Sequence, residues 1–188
     1  MALTPSNMIP LGTLAPNFTL PDTVSGNTYS LQQLRGEVAT VIMFVCNHCP
    51  YVKHVNPQLT AIGSDYLAKG VKMIAISSND IAAQPDDAPD KMKQVAEHEK
   101  YPFPYLYDET QQVAKAYDAA CTPDIYVFDK DLKLAYRGQL DGSRPSNNVP
   151  LTGTDLRAAL DALISGKSVS PHQRPGIGCN IKWKGEKH

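Results

Sequence analysis

The run Cys46-Asn47-His48-Cys49-Pro50-Tyr51-Val52 holds two thiols three residues apart, with an imidazole between them. It falls where an apolar, β-branched segment gives way to a helical repeat, so the thiols belong at a strand-to-helix junction. The first turn of a helix offers unpaired N–H groups and the positive end of the peptide dipoles, both favouring a negative sulfur. Thiol pKa values fall from about 8.5 into a range of about 3.5–7.5 in such places. An offset of three puts both sulfurs on one face of that turn, within reach of a disulfide. On that placement Cys46 is the exposed nucleophile and Cys49, one turn deeper, the resolving thiol. His48 adds a cation that stabilises the thiolate and makes the pair more oxidising, with Asn47 beside it in the same loop.

Other readings of these residues have less support. A c-type haem attachment needs His after the second Cys, and that place holds Pro50. A metal site would draw on Cys46, Cys49, His48 or His54, but Cys121 and Cys179 stand alone and form no second pair at ligand spacing. Two buried structural thiols fit a polar junction poorly. A second constellation, Cys121-Thr122-Pro123-Asp124, precedes an apolar strand expected beside the first. Pro123 removes a backbone donor there and leaves an edge free for an extended, thiol-bearing substrate. Cys121 reads as a third redox thiol or a satisfied core residue. Cys179, in the loop-like Pro175-Gly176-Ile177-Gly178-Cys179-Asn180, reads as a resolving thiol for a distant cysteine or a surface thiol.

The elements that must position these groups follow from periodicity. Asn17–Leu20 and Thr28–Ser30 flank the turn signal Ser25-Gly26-Asn27 and predict an amino-terminal hairpin. Val38–Val45 reads as a strand buried on both faces. Val52, Val55, Leu59, Ile62 and Tyr66 mark an amphipathic helix ended by Gly70, with Pro57 inside it as a source of a kink. Val71–Ser77 completes a parallel unit. A polar loop over 79–89 leads to a helix from Pro89 to Glu99, then a short strand at Tyr105–Tyr107. Asp108 and Gln111 have capping-box spacing for a helix reaching Tyr117. Ile125–Phe128 and Leu134–Arg137 make a hairpin around Asp129-Lys130-Asp131, and Leu156–Ile164 a last helix stopped by Gly166. Beyond it the chain reads as an extended surface tail. The order describes an α/β sandwich around a mixed central sheet flanked by helices, one domain over 1–188 with a core of about 12–166 and a tail of 167–188.

Composition excludes several classes. The 188 residues carry 18 Lys+Arg against 19 Asp+Glu, a net charge of −1, which argues against nucleic acid or a membrane surface as partner. Lys167, Arg174, Lys182, Lys184 and Lys187 against Glu186 give the tail a local +4, read as solvated surface. A chain of this size buries roughly 70% of its unfolded surface and needs no disulfide staples. Four cysteines are too few for a disulfide scaffold, which leaves them the roles of reactive thiols or ligands. Met1–Pro10 lacks Lys and Arg and an unbroken apolar core, and the longest apolar run is too short to cross a bilayer, so the expected location is cytoplasmic.

With those residues assembled, the chain resembles the thioredoxin-fold superfamily, and within it the peroxiredoxin-like AhpC/TSA branch. Ala15-Pro16-Asn17-Phe18, Phe44-Val45-Cys46-Asn47-His48-Cys49-Pro50, Cys121-Thr122-Pro123-Asp124, Tyr136-Arg137-Gly138 and Gly178-Cys179-Asn180-Ile181-Lys182-Trp183-Lys184 carry the resemblance, from about Gly12 to Lys184. It implies a thioredoxin-like sandwich with a cis peptide between Thr122 and Pro123 facing the thiols, and cycling of Cys46 and Cys49 between dithiol and disulfide. Peroxiredoxins also carry Pro-x-x-x-Thr-x-x-Cys; with Cys49 as the Cys, Cys46 replaces the Thr and Ile42 the Pro. The arginine that polarises the peroxide has no counterpart in register, leaving Arg137 and Arg144 as substitutes.

The expected function is a thiol-dependent oxidoreductase of the antioxidant type. It works by thiol–disulfide exchange or weak peroxide reduction at Cys46 and Cys49, supported by Asn47, His48, Thr122 and Pro123. The substrate would be a disulfide or hydroperoxide, and the electrons would come from a thioredoxin, glutaredoxin or small-thiol reductant. No bound cofactor or metal is required. The alternatives are a redox-sensing or partner-binding module without turnover, and a metal-binding domain using Cys46, Cys49 and a histidine.

Overall fold

The computed structural model describes residues 3–186. Its elements, in chain order, are β1 (Leu3–Pro5), β2 (Thr19–Pro21), β3 (Thr28–Ser30), α1 (Leu31–Leu34), β4 (Ala39–Phe44), α2 (Pro50–Leu67), β5 (Val71–Ser77), α3 (Pro89–His98), β6 (Tyr105–Tyr107), α4 (Gln112–Ala116), β7 (Cys121–Thr122), β8 (Asp124–Asp129), β9 (Leu134–Arg137), α5 (Thr154–Ile164) and β10 (Ile177–Asn180). No helix among the described residues is long and apolar enough to cross a membrane.

Alternation along β4 explains the architecture. Val41, Met43 and Val45 project to one side of the sheet, where they meet Val52, Val55, Leu59 and Ile62 of α2, Met92 and Ala96 of α3, and Leu156 and Leu160 of α5. Ile42 and Phe44 project to the other, against Phe18, Leu20, Leu31, Ala114 and Tyr117 from the amino-terminal hairpin, α1 and α4. Every residue of β4 is buried, as its unbroken apolar run requires. The five-stranded sheet has the order β6-β5-β4-β8-β9. β4, β5 and β6 run parallel, β8 runs antiparallel to β4 from Ala39 opposite Asp129 to Phe44 opposite Asp124, and β9 pairs antiparallel with β8.

Most expected elements are present within a residue or two, and β8 lies beside β4 as expected. α2 runs unbroken through Pro57, although that residue has no N–H to offer the carbonyl one turn before it. Two expectations fail. Gln111 does not close a capping box, because it sits in the left-handed region at φ 63° with no cap bond. Its side chain instead donates to the carbonyls of Ser78 and Lys182 and accepts from the Lys184 N–H. The tail, in turn, follows the surface only over 167–175, where it is mostly exposed, and then turns inward. β10 is the middle strand of a second sheet, β1-β10-β7, and Ile181 and Lys182 just beyond it are buried. The Lys182 ammonium, counted among the solvated charges, donates to the carbonyl and side-chain oxygen of Asn180.

The largest fully buried side chain is Arg137. Its guanidinium donates to Asp124 Oδ2 at 2.9 Å and to the carbonyls of Tyr117 and Asp118, and stacks on the Tyr126 ring with its central carbon 4.0 Å from the ring centroid. Burial pushes the Asp124 carboxyl up, and the Arg137 charge opposes that shift. Arg137→Met strands a buried carboxylate, and we expect a loss of about 3–5 kcal/mol in urea unfolding at neutral pH. The loss should shrink as the pH falls and Asp124 takes up a proton. An unchanged urea midpoint would show that this pair does not hold β8 and β9 together.

Candidate active site

Loop 45–49 carries the chain from the end of β4 into α2, and a carboxylate from a distant loop sets its shape. Asp87, fully buried in a 3₁₀ turn over Pro85–Asp87, accepts the Asn47 N–H at 2.7 Å and the His48 N–H at 3.2 Å on Oδ1. Its Oδ2 meets His48 Nδ1 at 2.7 Å and accepts from Asn79 Nδ2 at 2.8 Å. Burial pushes this carboxyl up, but the bonds from His48 and Asn79 outweigh it and hold the pKa below its usual value. Asn47 is held further by its amide on the Asp86 carbonyl and by the Tyr105 hydroxyl on its side-chain oxygen. His48 Nε2 is buried without a partner, beside a cavity of about 350 Å³ lined by Asn47, Lys53, Lys91, Val95 and His98.

That loop places Cys49 at the N-cap of α2, with Pro50 as the first helical residue and Cys46 outside the helix altogether. The two thiols therefore do not share the first turn, and the expected exposed Cys46 is a buried residue, 2% exposed, as is Cys49 at 0%. The peptide between Thr122 and Pro123 is cis, and Thr122 faces both sulfurs. Its hydroxyl is 3.3 Å from Cys46 Sγ and its carbonyl oxygen 3.2 Å from Cys49 Sγ. Cys179 Sγ lies 2.8 Å from Cys49 Sγ, which brings a third thiol into the centre.

Electrostatics then separate the two sulfurs of the loop. Burial pushes the Cys46 thiol well up, and its hydrogen bond to Cys49 and the charge of Asp87 push it further. Cys49 is held at about 5, first by the Cys46 hydrogen bond and then by Cys179 and the N–H groups of Val52 and Cys179, which together outweigh its burial. The two shifts thus run opposite to the sequence expectation, down at Cys49 and up at Cys46. Burial and the bond to Cys49 come first at Cys46, and Asp87, which pairs with the His48 ring, adds its charge to them.

The remaining candidates sort themselves by position. Cys121 is fully buried on β7, one residue before Thr122 and so pointing to the opposite side, with Ser6 Oγ at 3.8 Å and the Pro123 carbonyl at 3.6 Å. Burial pushes its thiol far up, which favours the reading as a satisfied core residue. Arg137 is engaged with Asp124, and Arg144 with the carbonyls of Asp141 and Ser143 and with Gln139. Neither is among the groups that lower Cys49. His54 Nε2 meets Ser143 Oγ at 2.8 Å. Donor atoms of Cys46, His48 and Asp87 gather within 4.8 Å of one another; Cys49 is not in that group, and Asp87 already has four hydrogen-bond partners. Asp87 and Asn79 are the site residues missed from the sequence, since both lie in a stretch read as a polar loop.

A mixed sheet covered by helices on both faces, with a thiol pair at the end of its central strand and a cis-proline against it, defines a thioredoxin-fold protein. The AhpC/TSA family profile matches residues 11–137. The chain belongs to that family. An uncharacterized conserved protein from Geobacillus kaustophilus is 58% identical, with 100% of this chain and 99% of that one covered and a TM-score of 0.97. A hypothetical protein from Sinorhizobium meliloti 1021 is 44% identical over 97% of this chain and 100% of its own, with a TM-score of 0.95. The thioredoxin domain of a thiol-disulfide oxidoreductase from Bacteroides vulgatus is 21% identical, covers 69% of this chain and 89% of its own with a TM-score of 0.59, and shares the fold. No curated protein matches the sequence.

Ultraviolet titration of thiolate absorbance in the reduced protein should find one sulfur ionising with a midpoint of about 5. Cys49→Ser should remove that step, and Cys46→Ala should move it upward by deleting the strongest bond to the anion. Because Cys49 titrates lower folded than unfolded, its thiolate adds stability in full above the unfolded value of about 8.5. That increment is lost as the pH falls through about 5. A single ionisation near the unfolded value would sink the assignment.

Proposed function

We propose that this protein is a thiol oxidoreductase in which Cys49 is the attacking thiolate, Cys46 its resolving partner, and a small hydroperoxide the oxidant. The observation that carries this reading is Cys49 itself: a fully buried sulfur at a helix N-cap, beside the cis Thr122–Pro123 peptide, held ionised by neighbouring S–H and N–H groups. Membership of the AhpC/TSA family supports thiol redox chemistry of this general kind.

Cys49 S⁻ attacks one peroxide oxygen, the S–O bond forms as the O–O bond breaks, and the departing oxyanion takes a proton to leave as alcohol or water. Cys46 sulfur then attacks the sulfenic acid, the S–S bond forms, and hydroxide leaves with the Cys46 proton as water. A thioredoxin, glutaredoxin or small-thiol reductant supplies two electrons to restore the dithiol. Exchange with a protein disulfide is the second reading, since it needs the same sulfurs. Two observations favour the smaller oxidant: the sulfurs are enclosed, and the edge expected to receive a substrate strand at Thr122–Pro123 is paired with β10.

Hydrogen peroxide, an organic hydroperoxide and a protein disulfide, compared side by side with metal content measured, test this reading. Both peroxides should be consumed faster than the protein disulfide. Cys49→Ser should reduce turnover to the uncatalysed background, while Cys121→Ser should leave it unchanged. Full turnover in the Cys49 variant removes that sulfur from the mechanism. One oxidation without turnover marks a sensor, and a stoichiometric bound metal marks the metal-binding alternative.

A further inference from the structure

β10 lies where an extended partner of the cis-proline segment would lie. In its antiparallel ladder with β7, Cys179 stands opposite Thr122 and Asn180 opposite Cys121. A disulfide bond is about 2.05 Å long. At 2.8 Å, Cys179 Sγ therefore needs to move only a fraction of an ångström to bond to Cys49 Sγ.

This seat is built from several directions. A Cβ on Gly178 would fall 1.9 Å from the Thr122 carbonyl oxygen, so only glycine lets the strand come so close. Three residues past Cys179, the backbone of Lys182 is clamped on both sides. Its N–H donates to Asn79 Oδ1 at 2.8 Å, and its carbonyl accepts from the Asp80 N–H and from Gln111 Nε2. Asn79 is the same residue whose amide donates to Asp87, so one side chain ties the tail to the loop that carries Cys46 and Cys49. On its outer side β10 pairs with β1, with Leu3 opposite Cys179.

We propose that Cys179 is a resolving thiol for Cys49, so that the redox centre holds three sulfurs and β10 serves as an internal substrate strand. The inference rests on the reading of Cys49 as the attacking thiolate. After a hydroperoxide has converted Cys49 to a sulfenic acid, Cys179 sulfur, ahead of Cys46, attacks Cys49 sulfur, so that Cys46 meets a disulfide in place of the sulfenic acid. The S–S bond forms, the S–O bond breaks, and hydroxide leaves with the Cys179 proton as water. Cys46 sulfur can then attack Cys49 in turn, forming Cys46–Cys49 while Cys179 departs and takes the Cys46 proton. No further oxidant enters that exchange.

The charge pattern prepares Cys179 for this step. Burial holds the Cys179 thiol up at about 12, and the hydrogen bond and charge of Cys49 hold it there, against the pull of Lys182. Oxidation of Cys49 to a neutral sulfenic acid removes its charge, so Cys179 becomes easier to ionise when its nucleophile is needed.

The test is one equivalent of hydrogen peroxide added to the reduced, full-length protein, with dimedone present, followed by alkylation and peptide mass mapping. Cys46→Ser should yield a Cys49–Cys179 bond and little dimedone adduct. Cys46→Ser with Cys179→Ser should carry the adduct on Cys49. Cys46→Ala serves in place of Cys46→Ser if the serine variant does not fold. The unsubstituted protein, quenched within its first turnover, should contain Cys49–Cys179. Equal dimedone adduct on Cys49 with and without Cys179, or Cys46–Cys49 alone at the earliest quench, overturns the role of Cys179 and leaves the proposed function standing. Cys49 untouched by peroxide in every variant overturns both.

Discussion

The geometry of the redox centre depends on one buried carboxylate. Asp87 gathers the N–H groups of Asn47 and His48, the His48 ring and the Asn79 amide, and so holds the whole connection between the central strand and α2 in one shape. Its negative charge inside the fold raises the cost of a second anion nearby, and Cys46 is the thiol that bears that cost. The opposite pull acts at Cys49, where the Cys46 and Cys179 thiols and the N–H groups of Val52 and Cys179 lower the pKa. One charge, placed by a loop some way along the chain, therefore both shapes the loop and adds to the burial that holds Cys46 protonated.

What the sequence made legible is what local pattern encodes. The apolar run of β4, the 3.6-residue repeat of α2, both hairpins and the thiol pair at their junction were readable because each is written within a dozen neighbouring residues. The cis peptide came through resemblance, since nothing in the composition around Thr122 and Pro123 distinguishes it. The chemistry of His48 was misread because its partner lies 39 residues on, in a stretch whose Pro85, Asp86 and Asp87 have the composition of a solvated turn. Gln111 had the spacing of a cap and the conformation of a bend, and the difference lies in its bonds to Ser78, Lys182 and Lys184.

β10 was the largest omission, for a related reason. Ile177-Gly178-Cys179-Asn180 is too short and too glycine-bearing to alternate apolar and polar residues, so it has no strand signature. Its strand character comes from β1 and β7, each more than fifty residues away along the chain. Cys121 and Cys179, indistinguishable as isolated cysteines, end on opposite sides of that ladder. One faces Ser6 and the Pro123 carbonyl in an apolar interior, and the other meets the reactive sulfur.

The second sheet has a mechanical consequence. A strand bonded along one margin can peel away like tape, one contact after another. β10 is gripped along both margins and nailed at Lys182, so it must be torn from two seams at once before anything the width of a polypeptide can approach the sulfurs. With each seam hydrogen bond contributing about 0.5–1.5 kcal/mol, that tearing belongs to rare, slow excursions of the folded chain. The strand thereby acts as a bolted cover over sulfurs that are themselves walled in.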